Sequence, residues 1–313
     1  MGLNDKVQAS YVWNLFGASK KNILVVTNTL YEANMLYKSL NQYDKDNILL
    51  FPMDDFLVSE AVATSPDLMS KRIETLNELA KNNIGKIVIT NFMGYLRFLP
   101  SRKLWSSLNI KIKETDEINR DLLIQKLNMI GYKKDSIVTK TGEYANRGYI
   151  LDVFPYGYEN PVRIEFFDDE IESIREFSSD TQLSMKKKDN IEICPFTEFI
   201  NEKKIEDILE RQSLLPRVVK KVSKIEDYLD NNITVYLDLN SIKLAYEKTM
   251  NEVLEFKETD QFNIDKYMFD LNDVIKDKYV DILKLDNYDF KKEEKEIYSS
   301  TEIEKFNGNY DRI

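Results

Sequence analysis

Side chains able to do covalent chemistry are few in this 313-residue chain. It contains no histidine, which removes Ser-His-Asp triads, imidazole proton transfer and His-ligated zinc. The one cysteine, Cys194, excludes disulfide frameworks and four-cysteine metal sites and suits a reducing cytoplasm. Its setting, Ile191-Glu192-Ile193-Cys194-Pro195, alternates like a strand end, so a small buried thiol accounts for it better than a nucleophile. The nine glycines never fall close enough to spell GxGxxG or a GxxxxGK loop followed by Ser or Thr. Gly17-Ala18-Ser19-Lys20-Lys21 instead runs from a helical pattern straight into an apolar strand. Without consecutive glycine amides and a loop-end Lys-Ser/Thr pair, nothing there holds phosphates or magnesium. Val235-Tyr236-Leu237-Asp238-Leu239 offers one carboxylate where an Asp-Glu pair would be needed, so Asp238 reads as a helix cap at a strand end. No catalytic residue, metal or bound cofactor is expected in this chain.

Recognition chemistry remains. Arg163 and Glu165 stand two apart in Val162-Arg163-Ile164-Glu165-Phe166-Phe167, a strand pattern that puts both on one face, opposite Ile164 and Phe166. That is the geometry of a polar contact surface, although an exposed ion pair alone is worth only about 0 to 1 kcal/mol. Lysine plus arginine 44 against aspartate plus glutamate 54 gives a net charge of −10, which argues against a general phosphate-neutralising surface. No apolar run approaches the roughly 20 residues that span a bilayer, and Met1 to Ser10 has no signal-peptide core, so a cytoplasmic protein without membrane contact is expected.

The elements that must position these residues fall into three stretches. Val7, Tyr11, Val12, Leu15 and Phe16 recur at helical spacing, and Asn22 to Thr27 is a continuous apolar strand. The alternation repeats: a helix over Leu30 to Leu40, a strand over Ile48 to Phe51, a helix opened by Ser65-Pro66, and a strand over Ile87 to Thr90. Wholly apolar strands between helices predict a parallel sheet covered on both faces, so residues 1–115 read as the first part of an α/β domain. Residues 116–196 change period. One helix through Leu122, Leu127 and Ile130, stopped by Gly131, precedes strands over Ile137 to Tyr144, Tyr149 to Phe154, Val162 to Phe167 and Ile171 to Phe177. Asn146-Arg147-Gly148 and Asp168-Asp169-Glu170 read as hairpin turns, and Lys186-Lys187-Lys188 as a solvated turn. Within 197–313 the pattern predicts helices over Lys203 to Leu209, Val218 to Leu229 and Ser241 to Phe256, with a strand at Ile233 to Leu237. The simplest topology inserts a small antiparallel α+β domain into one α/β domain whose second half is 197–313.

Ala145-Asn146-Arg147-Gly148-Tyr149-Ile150-Leu151-Asp152-Val153-Phe154-Pro155, followed by Pro161-Val162-Arg163-Ile164-Glu165-Phe166-Phe167-Asp168-Asp169-Glu170-Ile171-Glu172-Ser173-Ile174-Arg175, resembles the UvrB-like module that begins bacterial transcription-repair coupling factors. Thr181-Gln182, Ile193 to Phe199 and Phe306-Asn307-Gly308-Asn309 are similar to its continuation and close. The resemblance implies a RecA- or helicase-like fold that has lost its nucleotide site, and a non-catalytic interaction module that recruits UvrA to lesion-stalled RNA polymerase for excision repair. Matched residue by residue, it places Arg147, Arg163 and Glu165 in the UvrA-docking surface, with Lys133 or Lys134 as a further basic contact. Ala145 stands where UvrB has another arginine. Tyr132, Tyr144 and Tyr149 divide between core and aromatic anchors, and removing Arg147, Arg163 or Glu165 is expected to spare the fold. The resemblance also implies that the chain is a fragment. The ATP- and magnesium-using motor and the polymerase- and DNA-binding parts would lie beyond it, and that remainder is an alternative, intramolecular occupant of the docking surface. A UvrB-type ATP-dependent helicase subunit and a direct DNA-binding module are the competing readings.

Overall fold

A computed structural model describes residues 5–55, 65–205, 214–257 and 268–282. The strands are β1 (Asn22–Thr27), β2 (Ile48–Phe51), β3 (Ile87–Asn91), β4 (Leu99–Pro100), β5 (Ile110–Lys113), β6 (Lys133–Lys134), β7 (Glu143–Arg147), β8 (Ile150–Val153), β9 (Val162–Phe167), β10 (Glu170–Phe177), β11 (Ser184–Lys187), β12 (Asn190–Ile193), β13 (Val222–Ser223), β14 (Asn232–Leu237) and β15 (Val280–Ile282). The longer helices are α1 (Asp5–Ser19), α2 (Leu30–Leu40), α3 (Pro66–Lys81), α4 (Arg120–Met129) and α5 (Leu239–Lys257).

One sheet is parallel throughout, in the order β15-β14-β1-β3-β2. Its strands are apolar on both faces because both are covered. Along β1, Leu24 and Val26 join a core with Ile73, Leu76 and Leu79 of α3, while Ile23 and Val25 pack with Val12 of α1 and Ala33, Leu36 and Leu40 of α2. The Thr29 side chain accepts from the Glu32 amide and so begins α2. The Ser65-Pro66 start of α3 lies where the sequence puts it, although Ser65 makes no side-chain cap bond. Because β14 and β15 pair beside β1, the sheet draws strands from both ends of the described chain.

A second sheet, ordered β11-β10-β9-β8-β7-β6, is antiparallel except for the parallel β6–β7 pair. One face packs on α4 and on the β5–β12 ribbon through a separate core that includes Leu123, Leu127, Leu151, Ile164 and Ile191. The chain leaves this core along 194–199, the segment that ties the two layers together. Cys194 is a buried free thiol there, and burial pushes its pKa up. Phe196 packs against both cores. A Cβ on Gly142 (φ +87°) would lie 2.2 Å from the Phe196 ring, so only glycine fits at this crossing. Glu198 is buried between Arg72 of α3 and Arg97.

Several expected elements differ. The strand expected over Ile137 to Tyr144 begins only at Glu143. Ahead of it the Glu143 carboxylate accepts the Thr139 and Lys140 amides at 2.9 Å each, folding that segment back as a loop. Asn146 and Arg147 are strand residues, and the turn is Gly148-Tyr149. Lys186 and Lys187 lie in edge strand β11, where lysines discourage pairing with other chains. Val218 to Leu229 is not one helix. A helical turn (Leu215–Val218) ends at its first residue, and beyond it come β13 paired with β4 and a 3-10 turn (Ile225–Tyr228) that the Asp227 carboxylate opens by accepting the Lys224 amide. Of the helix expected over Lys203 to Leu209, residues 203–205 are not helical; its remainder and Phe306 to Asn309 lie outside the described residues.

Candidate partner-docking face

The face of the second sheet turned away from α4 carries the charged residues, and strand register puts them there. Asp152 of β8 stands opposite Ala145 of β7 on one side and Arg163 of β9 on the other. Arg147 is two residues along from Ala145, and Glu165, two along from Arg163, pairs with Ile150 and with Ser173 of β10. The opposite face takes Leu151, Val153, Ile164 and Phe166 into the core. Alternation with period two therefore separates the two sets.

Asp152 is fully buried, and both arginines converge on it. Arg163 forks onto the carboxylate, Nε to Oδ1 at 2.7 Å and Nη2 to Oδ2 at 2.9 Å, while an Arg147 Nη2 hydrogen also bonds Oδ2. The Phe177 ring lies 4.6 Å from the Arg163 guanidinium carbon, and the bonds to Asp152 hold the Arg163 pKa above its ordinary value. The Arg163 side chain is only 15% exposed, whereas 47% of Arg147 is exposed. Glu165 accepts from Ser173 Oγ and faces Arg175 at 3.7 Å.

These positions correct two expectations. Arg147 lies across the sheet face onto Asp152 rather than projecting from a turn. Arg163 is mostly buried against Asp152 and Phe177 rather than free on the surface, so its removal is expected to cost stability. Lys133 is exposed and pairs in register with Glu143, which places it on the Arg147 side of the sheet; Lys134 is exposed and pairs with the core residue Tyr144. Tyr132 and Tyr144 are core residues, and Tyr149 is exposed. Two features escaped the sequence reading. Asp152 sits between core residues Leu151 and Val153, and only the cross-strand register shows that it faces Arg163. Phe167, 71% exposed, shares the parity of Arg163 and Glu165; an apolar residue on the polar side of an alternating strand was the available signal.

At the C-terminal edge of the parallel sheet, β1 reaches α2 through Asn28 and Thr29 alone. Amides at the start of α2 already meet carboxylates: Leu30 N, the first of the helix, donates to Asp55 at 2.9 and 3.2 Å, and Asn28 N, just ahead of the Thr29 cap, donates to Glu32 at 3.2 Å. Asp238 accepts from Ser241 N at 3.1 Å and from Ser241 Oγ at 2.9 Å, the helix-capping role expected of it.

The family model described as the UvrB interaction domain matches residues 110–199, a span that contains the whole charged face. Over 197 residues, 63% of the chain, the sequence is 36% identical to a transcription-repair-coupling factor of Staphylococcus aureus (strain bovine RF122 / ET3-1). Over 200 residues, 64% of the chain, it is 34% identical to that of Bacillus subtilis (strain 168). These matches span 16% and 17% of the relatives' lengths. Residues 110–199 thus match the UvrB interaction domain, within a chain that is similar over 63–64% of its length to part of bacterial transcription-repair-coupling factors.

Proposed function

We propose that this chain is a non-catalytic docking module that binds UvrA through the charged face of its second sheet, and so serves transcription-coupled excision repair in the bacterial cytoplasm. The observation that carries this reading is the convergence of Arg147 and Arg163 on one buried carboxylate, with Glu165 and exposed Phe167 on the same face, inside the matched residues 110–199. Exposed aromatic and arginine side chains on a rigid sheet are the residue types that dominate protein interfaces. Lys133 extends the face on its β6 side. In this reading 116–196 is a domain inserted between 1–115 and 197–313. Contacts with RNA polymerase and DNA, and any use of ATP, belong to parts of the longer coupling factors outside this chain. The Asp55 and Glu32 carboxylates, which already engage the Leu30 and Asn28 amides between β1 and α2, support a sheet without a nucleotide site.

Titration of immobilised UvrA with the purified chain tests the reading. Truncating an arginine paired across a desolvated interface typically costs about 2 to 5 kcal/mol, roughly thirtyfold or more in affinity. Arg147→Ala is expected to abolish capture at micromolar concentration, and Glu165→Ala to weaken it less. If Arg147→Ala and Glu165→Ala both bind UvrA as the parent does, the docking surface lies elsewhere.

A further inference from the structure

We infer that Asp152 is a positioning residue of the docking face: its buried carboxylate holds the Arg147 guanidinium in place to receive an acidic group of the partner. The inference rests on the docking reading and adds to it the residue that presets the surface and the chemistry of what the surface receives. Asp152 sits on the Arg147 side of the sheet with no exposed surface, where a lone carboxylate would be strongly disfavoured. Arg163 alone answers that need, since its fork supplies a donor to each carboxylate oxygen. The bond from Arg147 is therefore surplus to the neutralisation of Asp152. Its consequence falls on Arg147, a long side chain that would otherwise sample many rotamers and is here tied at its tip while staying 47% exposed.

Charge points the same way. Two guanidiniums against one carboxylate leave the cluster with one net positive charge. Arg147 has five N–H donors in a planar fork, gives one to Asp152, and presents its remaining donors from an exposed side chain. A carboxylate of the partner matches that geometry, because arginine binds carboxylates through paired donors. Ordering the side chain before association lowers the entropy lost on binding, an effect worth roughly three- to tenfold in affinity for one long side chain.

Asp152→Asn separates positioning from simple charge, because the two predict opposite signs. The substitution keeps the shape and removes the negative charge beside Arg147. If charge alone governed docking, UvrA would bind more tightly and with a steeper salt dependence. If Asp152 positions Arg147, UvrA should bind about three- to tenfold more weakly although the face has become more positive. Unchanged or tighter binding would overturn the inference. A second measurement needs no variant to fold: nitrogen relaxation at the arginine Nε groups of the free parent chain. The Arg147 Nε is expected to be nearly as ordered as that of Arg163, and an Arg147 as mobile as a solvated surface side chain refutes the positioning role. Failure of the docking reading looks different: the parent does not bind UvrA, or Arg147→Ala binds as the parent does, while the relaxation result stands independently.

Discussion

Glu198 anchors the 194–199 connection onto the parallel-sheet layer, and its loss should be strongly destabilising. The carboxylate accepts Arg72 Nε at 3.0 Å on both oxygens, with Arg72 Nη2 at 3.0 Å and Arg97 Nη2 at 3.2 Å from Oε2. Arg72 is further tied to the Pro52 carbonyl at 3.0 Å. The three side chains are 1% (Arg72), 6% (Arg97) and 4% (Glu198) exposed. Glu198→Ala leaves two guanidiniums inside the protein without their counter-charge, and breaking a buried pair in this way costs about 3 to 5 kcal/mol. Total stabilities are about 5 to 15 kcal/mol, so a fifth or more is at stake. At about 2 to 4 °C per kcal/mol for a chain of this size class, Tm should fall by roughly 6 to 20 °C. Burial pushes the Glu198 carboxyl pKa up, but the Arg72 and Arg97 guanidiniums outweigh it and hold the folded value below the ordinary carboxylate range. A depressed folded pKa stabilises fully above the unfolded value of about 4.3 and loses that contribution as pH falls through the folded value. Calorimetric melts of parent and Glu198→Ala should therefore differ by a constant gap from about pH 8 to 5, narrowing at lower pH. A variant that melts within about 2 °C of the parent at pH 7, or a gap indifferent to acid, would refute the argument.

Gly142→Ala places its Cβ 2.2 Å from the Phe196 ring at φ +87°, whereas Gly157→Ala, at φ +81°, meets nothing within 4 Å. The second should cost only the left-handed backbone penalty of about 1 to 2 kcal/mol and the first distinctly more, read as the difference between the two melting temperatures. Arg163→Ala strips the buried Asp152 of its fork and should lower Tm more than Arg147→Ala, which leaves both carboxylate oxygens bonded; equal Tm values for the two variants would contradict this. The chain should show no magnesium-dependent ATP turnover above background, since the Asn28 and Leu30 amides between β1 and α2 already engage carboxylates; turnover that survives further purification would overturn that expectation.

The two sheet types and most helices were legible in the sequence, because these follow from local periodicity. Unbroken apolar runs such as Ile23 to Val26 require cover on both faces, and Arg163 and Glu165 share a face wherever their strand lies. Absences were equally local: a chain without histidine or a glycine-rich loop lacks that chemistry in any fold. Tertiary structure alone decided what those residues meet. Asp152 is 5 residues from Arg147 and 11 from Arg163 along the chain, and only the β7–β8–β9 register turns three scattered charges into one cluster, since a one-residue slip would send each to the other face. Arg72 and Glu198, 126 residues apart, carry no mutual signal in their neighbourhoods. The loop ahead of Glu143 and the broken stretch from Val218 to Leu229 escaped periodicity for a related reason. Each is set by a carboxylate bonding nearby amides, a specific contact that competes with secondary structure and leaves no trace in the spacing of apolar residues.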